Sequence, residues 1–149
     1  MYKNLAATLV AACVVAPSFA QTETTLNSPP SASDPIKVGF VYVTPVLPAG
    51  WTRQHEEGRL ALERAMPGQV TTTAVDNVPY GPDSERVIRE LASSGHHLIY
   101  TTSFGYMAPT LRVAQEVPHV KFEHITGYKQ ADNVATANAR YYEGRYLSG

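Results

Sequence analysis

Four short runs rich in apolar, β-branched and aromatic residues, each followed by a stretch with helical spacing, leave this chain few folds to choose from. The runs are KVGFVYV (Lys37 to Val43), VTTTAVDNV (Val70 to Val78), HLIYTT (His97 to Thr102) and VKFEHIT (Val120 to Thr126). A run as continuously apolar as the first fits a strand covered on both faces, the environment of a parallel sheet. Between the runs the period changes to that of helices. Leu60, Leu62, Ala65 and Met66 mark the inward side of the first helix, with Thr52 expected as its cap and Pro67-Gly68 as its stop. Val87, Ile88, Leu91 and Ala92 form the stripe of the second, with Asp83 expected as cap and Gly95 at its end. Met107, Leu111, Ala114 and Val117 mark the third, closed by Pro118. A short extended piece near Val134 to Asn138 and a helix from about Arg140 to Leu147 finish the alternation. Strands alternating with helices predict an α/β fold with a Rossmann-like, doubly wound parallel sheet and right-handed crossovers.

The amino-terminal segment is of another kind. Lys3, an apolar run from Leu5 to Val15, Pro17 and small residues at Ser18 and Ala20 have the layout of a secretory signal peptide, predicting cleavage after Ala20 and export. That run is about 11 residues, short of the roughly 20 that span a bilayer as a helix. The single cysteine, Cys13, sits within it, so acylation at Cys13 is the alternative to simple cleavage, and the mature chain is expected to have no disulfide. Gln21 to Pro35, rich in Ser, Thr and Pro, is too poor in apolar residues to fold and reads as a flexible leader. The folded unit is therefore expected over residues 36–149. With 12 Lys and Arg against 13 Asp and Glu, and no basic stripe, nothing points to nucleic acid.

In doubly wound sheets ligands bind beyond the carboxyl ends of the strands. Two loops at that edge are aromatic: Pro48-Ala49-Gly50-Trp51 after the first strand, and Ser103-Phe104-Gly105-Tyr106 after the third. Trp51, Phe104 and Tyr106 are expected to converge on one rim, where glycine permits close approach and aromatic faces stack on a flat ligand. The alternative is that these rings only close the top of the sheet.

Enzymatic readings are weaker. Thr101-Thr102-Ser103-Phe104-Gly105 resembles a nucleophile elbow, with His119 or His124 and Asp132 downstream, but Thr101 replaces its first glycine. Adjacent His96 and His97 point apart on a strand and lack a nearby metal-ligand partner, so structural roles are expected for both. Glu56, Glu57, Arg86, Arg89 and Glu90 are expected on solvated helix faces. No Gly-x-Gly-x-x-Gly or Walker loop occurs, and no cofactor is expected.

Several pieces taken in order resemble one family: GFVYV-x-PV (Gly39 to Val46), AGWT-x-QH (Ala49 to His55), ERVIREL (Glu85 to Leu91), TTSFGYM (Thr101 to Met107), KFEH (Lys121 to His124), TGYK-x-x-DNVAT (Thr126 to Thr136) and YYEGRYLSG (Tyr141 to Gly149). Their order behind a signal peptide resembles the basic membrane protein family of ABC-transporter substrate-binding proteins, related to bacterial purine nucleoside receptors. The resemblance implies a type I periplasmic binding protein of two Rossmann-like lobes, of which this chain is most of the first. It implies a purine base or nucleoside as ligand, with Trp51 and Phe104 facing the base and Gly50, Ser103 and Tyr106 shaping the pocket. It also implies a periplasmic location, no catalysis, and a membrane permease and ATPase as partners. Pro48 departs from the family, which often has an acidic residue there, removing a carboxylate that would meet a sugar hydroxyl. Ligand sensing for a signalling system is the competing role.

Overall fold

The computed structural model describes residues 34–148. The expected signal peptide, Cys13 and all but the last two residues of the leader lie outside the described residues. The elements run β1 (Ile36–Val41), α1 (Trp51–Ala65), β2 (Val70–Val75), α2 (Pro82–Ser93), β3 (Leu98–Thr101), a 3₁₀ turn (Phe104–Tyr106), α3 (Met107–Glu116), β4 (Lys121–Ile125), β5 (Val134–Ala137) and α4 (Tyr141–Ser148). The strands form one five-stranded sheet in the order β2-β1-β3-β4-β5. Every pairing is parallel.

Strand alternation divides β1 between two cores. Val41 turns to the face under α2 and α3, among Ile88, Ile99, Val113, Phe122 and Val134, all buried. Val38, Phe40 and, just past the strand, Tyr42 turn to the other face, against Val70, Leu62 of α1 and Met66 at its C-terminal cap. Phe40 also stacks flat on Tyr100, centroids 4.9 Å apart. Fully burying side chains of this size contributes roughly 1.5–3 kcal/mol each. Two buried faces explain why β1 reads as an unbroken apolar run. α4, in contrast, is exposed at every residue described.

The predicted order of elements holds, and the differences lie at their ends. Neither Thr52 nor Asp83 caps a helix: Gly50 and Gly81 occupy the N-cap positions of α1 and α2, at φ +105° and +91°. Glycine alone takes such angles without strain, so each helix starts two residues earlier than a cap at Thr52 or Asp83 would place it. Thr52 is then inside the first turn, its hydroxyl 2.6 Å from that of Thr44. The second strand stops at Val75 because Asn77 turns at φ +53°, although Val78 still packs in the core. Along α1 only Thr52 is fully buried, and Ala65, expected inside, is exposed.

Glu56 also departs from expectation. Its carboxylate takes bonds of 2.8 and 2.6 Å from the Arg59 guanidinium and one of 3.2 Å from the buried Tyr42 hydroxyl. The Arg59 contact holds Glu56 below the usual carboxylate range, while burial pushes the Tyr42 phenol up. Glu57, Arg86 and Glu90 are exposed as expected. Arg89 reaches across from α2 to Glu116 of α3 at 2.8 Å, a surface pair of small worth.

Asn133 ties the end of α3 to the strands beside it. Its side-chain amide donates to the carbonyls of Ala114, Val117 and Val120 at 3.0, 3.3 and 3.0 Å. Asn133→Ala strands these acceptors at a helix end and is expected to cost about 1–2 kcal/mol. Urea unfolding checks this; an unchanged midpoint would mean that water replaces the amide without loss.

Candidate functional site

The strand order reverses between β1 and β3, since β1 connects outward to β2 and the chain then returns to the other side of β1. In open α/β sheets this reversal opens a crevice beyond the carboxyl ends of the strands. Trp51 lies across it. Gly50 makes the sharp turn into α1, and the Trp51 indole N–H donates to the Thr102 carbonyl at 2.6 Å, joining the exit of β1 to that of β3. Thr102 is held in turn, its hydroxyl donating to the Val41 carbonyl at 2.8 Å. The ring of Trp51 is 38% exposed, packed edge-on against His55 at 4.7 Å. Burial holds His55 below its ordinary pKa, so it is neutral at pH 7 and sets no cation beside the indole.

The β3 exit carries the other expected residues. Ser103 is nearly buried, its hydroxyl 2.6 Å from that of Tyr80. The Tyr80 ring lies over Gly105, where an added Cβ would stand 2.5 Å from Cδ1, so a side chain there would have to push the ring aside. Phe104 is 60% exposed and faces Tyr128, centroids 6.1 Å apart and planes at 30°. A groove of about 410 Å³ opens there, lined by Phe104, Met107, Leu111, Tyr128 and their neighbours.

Gly50 and Trp51 thus lie at the start of α1 beyond β1, and Ser103 and Phe104 at the exit of β3, while one expectation is corrected. Tyr106 presents no face at the rim: it is fully buried, donates its hydroxyl to the Val78 carbonyl at 2.6 Å, and meets Tyr80 edge-on at 5.4 Å. It belongs to the core under α2 and α3, and can shape the pocket only from below. Tyr80 and Tyr128 are the residues that sequence reasoning missed. Their signal was present, because each stands beside a glycine just beyond a strand, in Pro79-Tyr80-Gly81 and Gly127-Tyr128, as Trp51 and Phe104 do.

A serine-hydrolase arrangement does not form. The Ser103 hydroxyl pairs with Tyr80, and His124 Nδ1 pairs with Thr101 at 2.8 Å. His119 and Asp132 precede β4 and β5, at the edge of the sheet opposite the β3 exit. His96 and His97 have the structural roles expected of them. Nδ1 of His96 donates to the Leu91 carbonyl at 2.8 Å, and Nδ1 of His97 accepts from the Lys37 amide at 3.0 Å. Among the described residues no group of three or more His, Cys, Asp or Glu side chains could hold a metal ion, and no helix is long and apolar enough to cross a membrane.

A parallel five-stranded α/β lobe with exposed aromatic residues at its switch point has the architecture of the first lobe of a type I periplasmic binding protein. The chain belongs to the family of PnrA-like ABC transporter substrate-binding proteins, which matches residues 36–149. It is 52% identical over 118 residues to a purine-binding protein of Brucella abortus, covering 79% of this chain and 34% of that protein. It is 34% identical over 127 residues to a putative ABC transporter glucose-binding protein of Haloferax volcanii, covering 85% of this chain and 32% of that one. The chain thus spans about a third of the length of these relatives. Among solved structures, a solute-binding protein of an ABC transporter system from Conexibacter woesei superposes with a TM-score of 0.64 at 20% identity, over 69% of this chain and 35% of that one. A transcriptional activator of the comK gene from Bacillus halodurans superposes at 0.59 and 22% identity, over 67% and 33%. At such identities the likeness concerns the fold, the expected first lobe of a type I binding protein.

Proposed function

We propose that residues 36–149 are the amino-terminal lobe of an extracytoplasmic solute-binding protein serving an ABC importer, and that its ligand is a purine base or nucleoside. Residues 1–20 are its export signal and 21–35 its leader. The protein performs no chemistry of its own; a permease and an ATPase in the membrane move what it delivers. One observation carries the ligand class: Trp51, fixed by its indole N–H to the β3 exit, stays 38% exposed at the switch point, and Phe104, at the same strand exit, is exposed as well. Stacking rewards a flat π-surface, and the more similar of the two relatives is named for purine binding. The relative named for glucose supplies the competing ligand. Clam-shell receptors gain affinity by enclosing the ligand between lobes, so a single lobe leaves one ligand face wet and binds weakly.

Titration calorimetry tests this, with Trp51 emission followed in parallel, on a two-lobed form that carries this chain. Adenine, adenosine, guanosine and glucose are the ligands. A purine is expected to give heat and to change the emission, and Trp51→Ala to weaken its binding at least fivefold, since one base–aromatic stack is worth about 1–3 kcal/mol. Heat from glucose with none from any purine would overturn the ligand assignment.

A further inference from the structure

We infer that Tyr128 is a ligand-contacting residue, forming with Phe104 a slot that takes the edge of the purine ring system; the inference rests on the purine reading above. Two observations lead to it. Phe104 and Tyr128 are 60% and 70% exposed, although each is large and mostly apolar. Their ring centroids lie 6.1 Å apart with the planes tilted by 30°. A flat ring inserted between two others needs about 7 Å, twice the roughly 3.5 Å of a carbon contact, so this pair must turn parallel and its centroids separate by about 1 Å.

The backbone beneath Tyr128 gives a second line of argument. Thr126 holds φ +74°, a left-handed angle that a β-branched residue rarely adopts, and its buried hydroxyl has no partner. Local strain of this kind persists where the surroundings impose it, and it gathers at ligand clamps. What imposes it is visible. The Thr126 amide is tied to the Ala137 carbonyl at 2.8 Å, and Gly127 is pressed against His124 and Thr136, so the chain leaves β4 on a fixed course that delivers Tyr128 opposite Phe104. The groove between them continues over Met107 and Leu111, an apolar floor for the ring edge, with Lys129 at its mouth.

Because Tyr128 is mostly exposed, replacing it leaves the fold intact and isolates its contact with ligand. Calorimetry on the two-lobed form with adenine compares Tyr128→Phe, Tyr128→Leu and Tyr128→Ala, with melting temperatures as the control. Tyr128→Phe keeps the π-face and is expected to bind within twofold of the parent, while Tyr128→Leu and Tyr128→Ala weaken adenine at least fivefold at unchanged melting temperature. Equal affinity in all three variants, with Trp51→Ala still defective, overturns the role of Tyr128 and leaves the purine reading standing. Absence of heat from any purine in the parent protein overturns that reading and the slot with it.

Discussion

Acidification from pH 7 to pH 4 is expected to remove about 3 kcal/mol of stability through His124 alone. This histidine lies at 1% exposure at the end of β4, where burial holds its pKa down to about 4 from an ordinary 6.5. Thr110 donates to Thr101, whose hydroxyl pairs with His124 Nδ1 at 2.8 Å, and the buried Nε2 has no partner. The unfolded chain takes up a proton near pH 6.5 and the folded chain only near pH 4. Between those values the unfolded state binds more protons, so stability is full above pH 6.5 and drains away as the pH falls. Glu56, Glu85 and Glu116, held below the usual carboxylate range by Arg59 and Arg89, add losses of the same sign at the acid end. His124→Gln separates the contributions. It keeps an acceptor for Thr101 and removes the titration, so its urea-derived stability should fall less between pH 7 and pH 4 by about the amount given above. Parallel pH profiles for the two proteins would show that His124 does not titrate in this window.

Gly127→Ala is expected to destabilise the lobe by about 3 kcal/mol, the upper part of the range for overpacked cores. A Cβ at Gly127 would fall 2.3 Å from His124 Cδ2 and 2.9 Å from Thr136 Cγ2. Neither neighbour is the loose end of a long side chain: His124 is a buried ring tethered to Thr101, and Thr136 sits in the β5 ladder beside it. The substitution therefore forces either the ring or the β4–β5 pairing to move. Thermal unfolding measures the cost, and Gly105→Ala is the comparison, since the ring it meets belongs to exposed Tyr80 and can swing outward. A Gly127→Ala protein that melts with the parent would mean that the β4 exit is looser than its contacts imply.

The sheet was legible in the sequence because burial on two faces writes itself as a continuous apolar run, as in Val38 to Val43. The helix starts were not, because two mechanisms compete for an N-cap and a threonine or aspartate one or two residues inside gives the same local pattern as a capping one. Glycine at φ near +100° won at Gly50 and Gly81. Within the site, Trp51 and Phe104 could be placed from strand exits alone. Tyr106 could not, because an aromatic residue five positions past a strand turns inward or outward according to a hydroxyl partner, here the Val78 carbonyl, that lies 28 positions away. Glu56 was misread for a similar reason: its partner Tyr42 is on another element, 14 positions earlier.

The junction of β1 with β3 also sets a timetable for folding. Lys37 and His97 meet across it from 60 positions apart, and the loop between them contains all of α1, β2 and α2. Such non-local pairings form slowly, because the chain loses its freedom before the contacts reward it. The indole of Trp51 reaches the Thr102 carbonyl only once that junction has closed. As the single tryptophan in the chain, it makes the intrinsic fluorescence of this protein a clock for one late event, the docking of β3 beside β1.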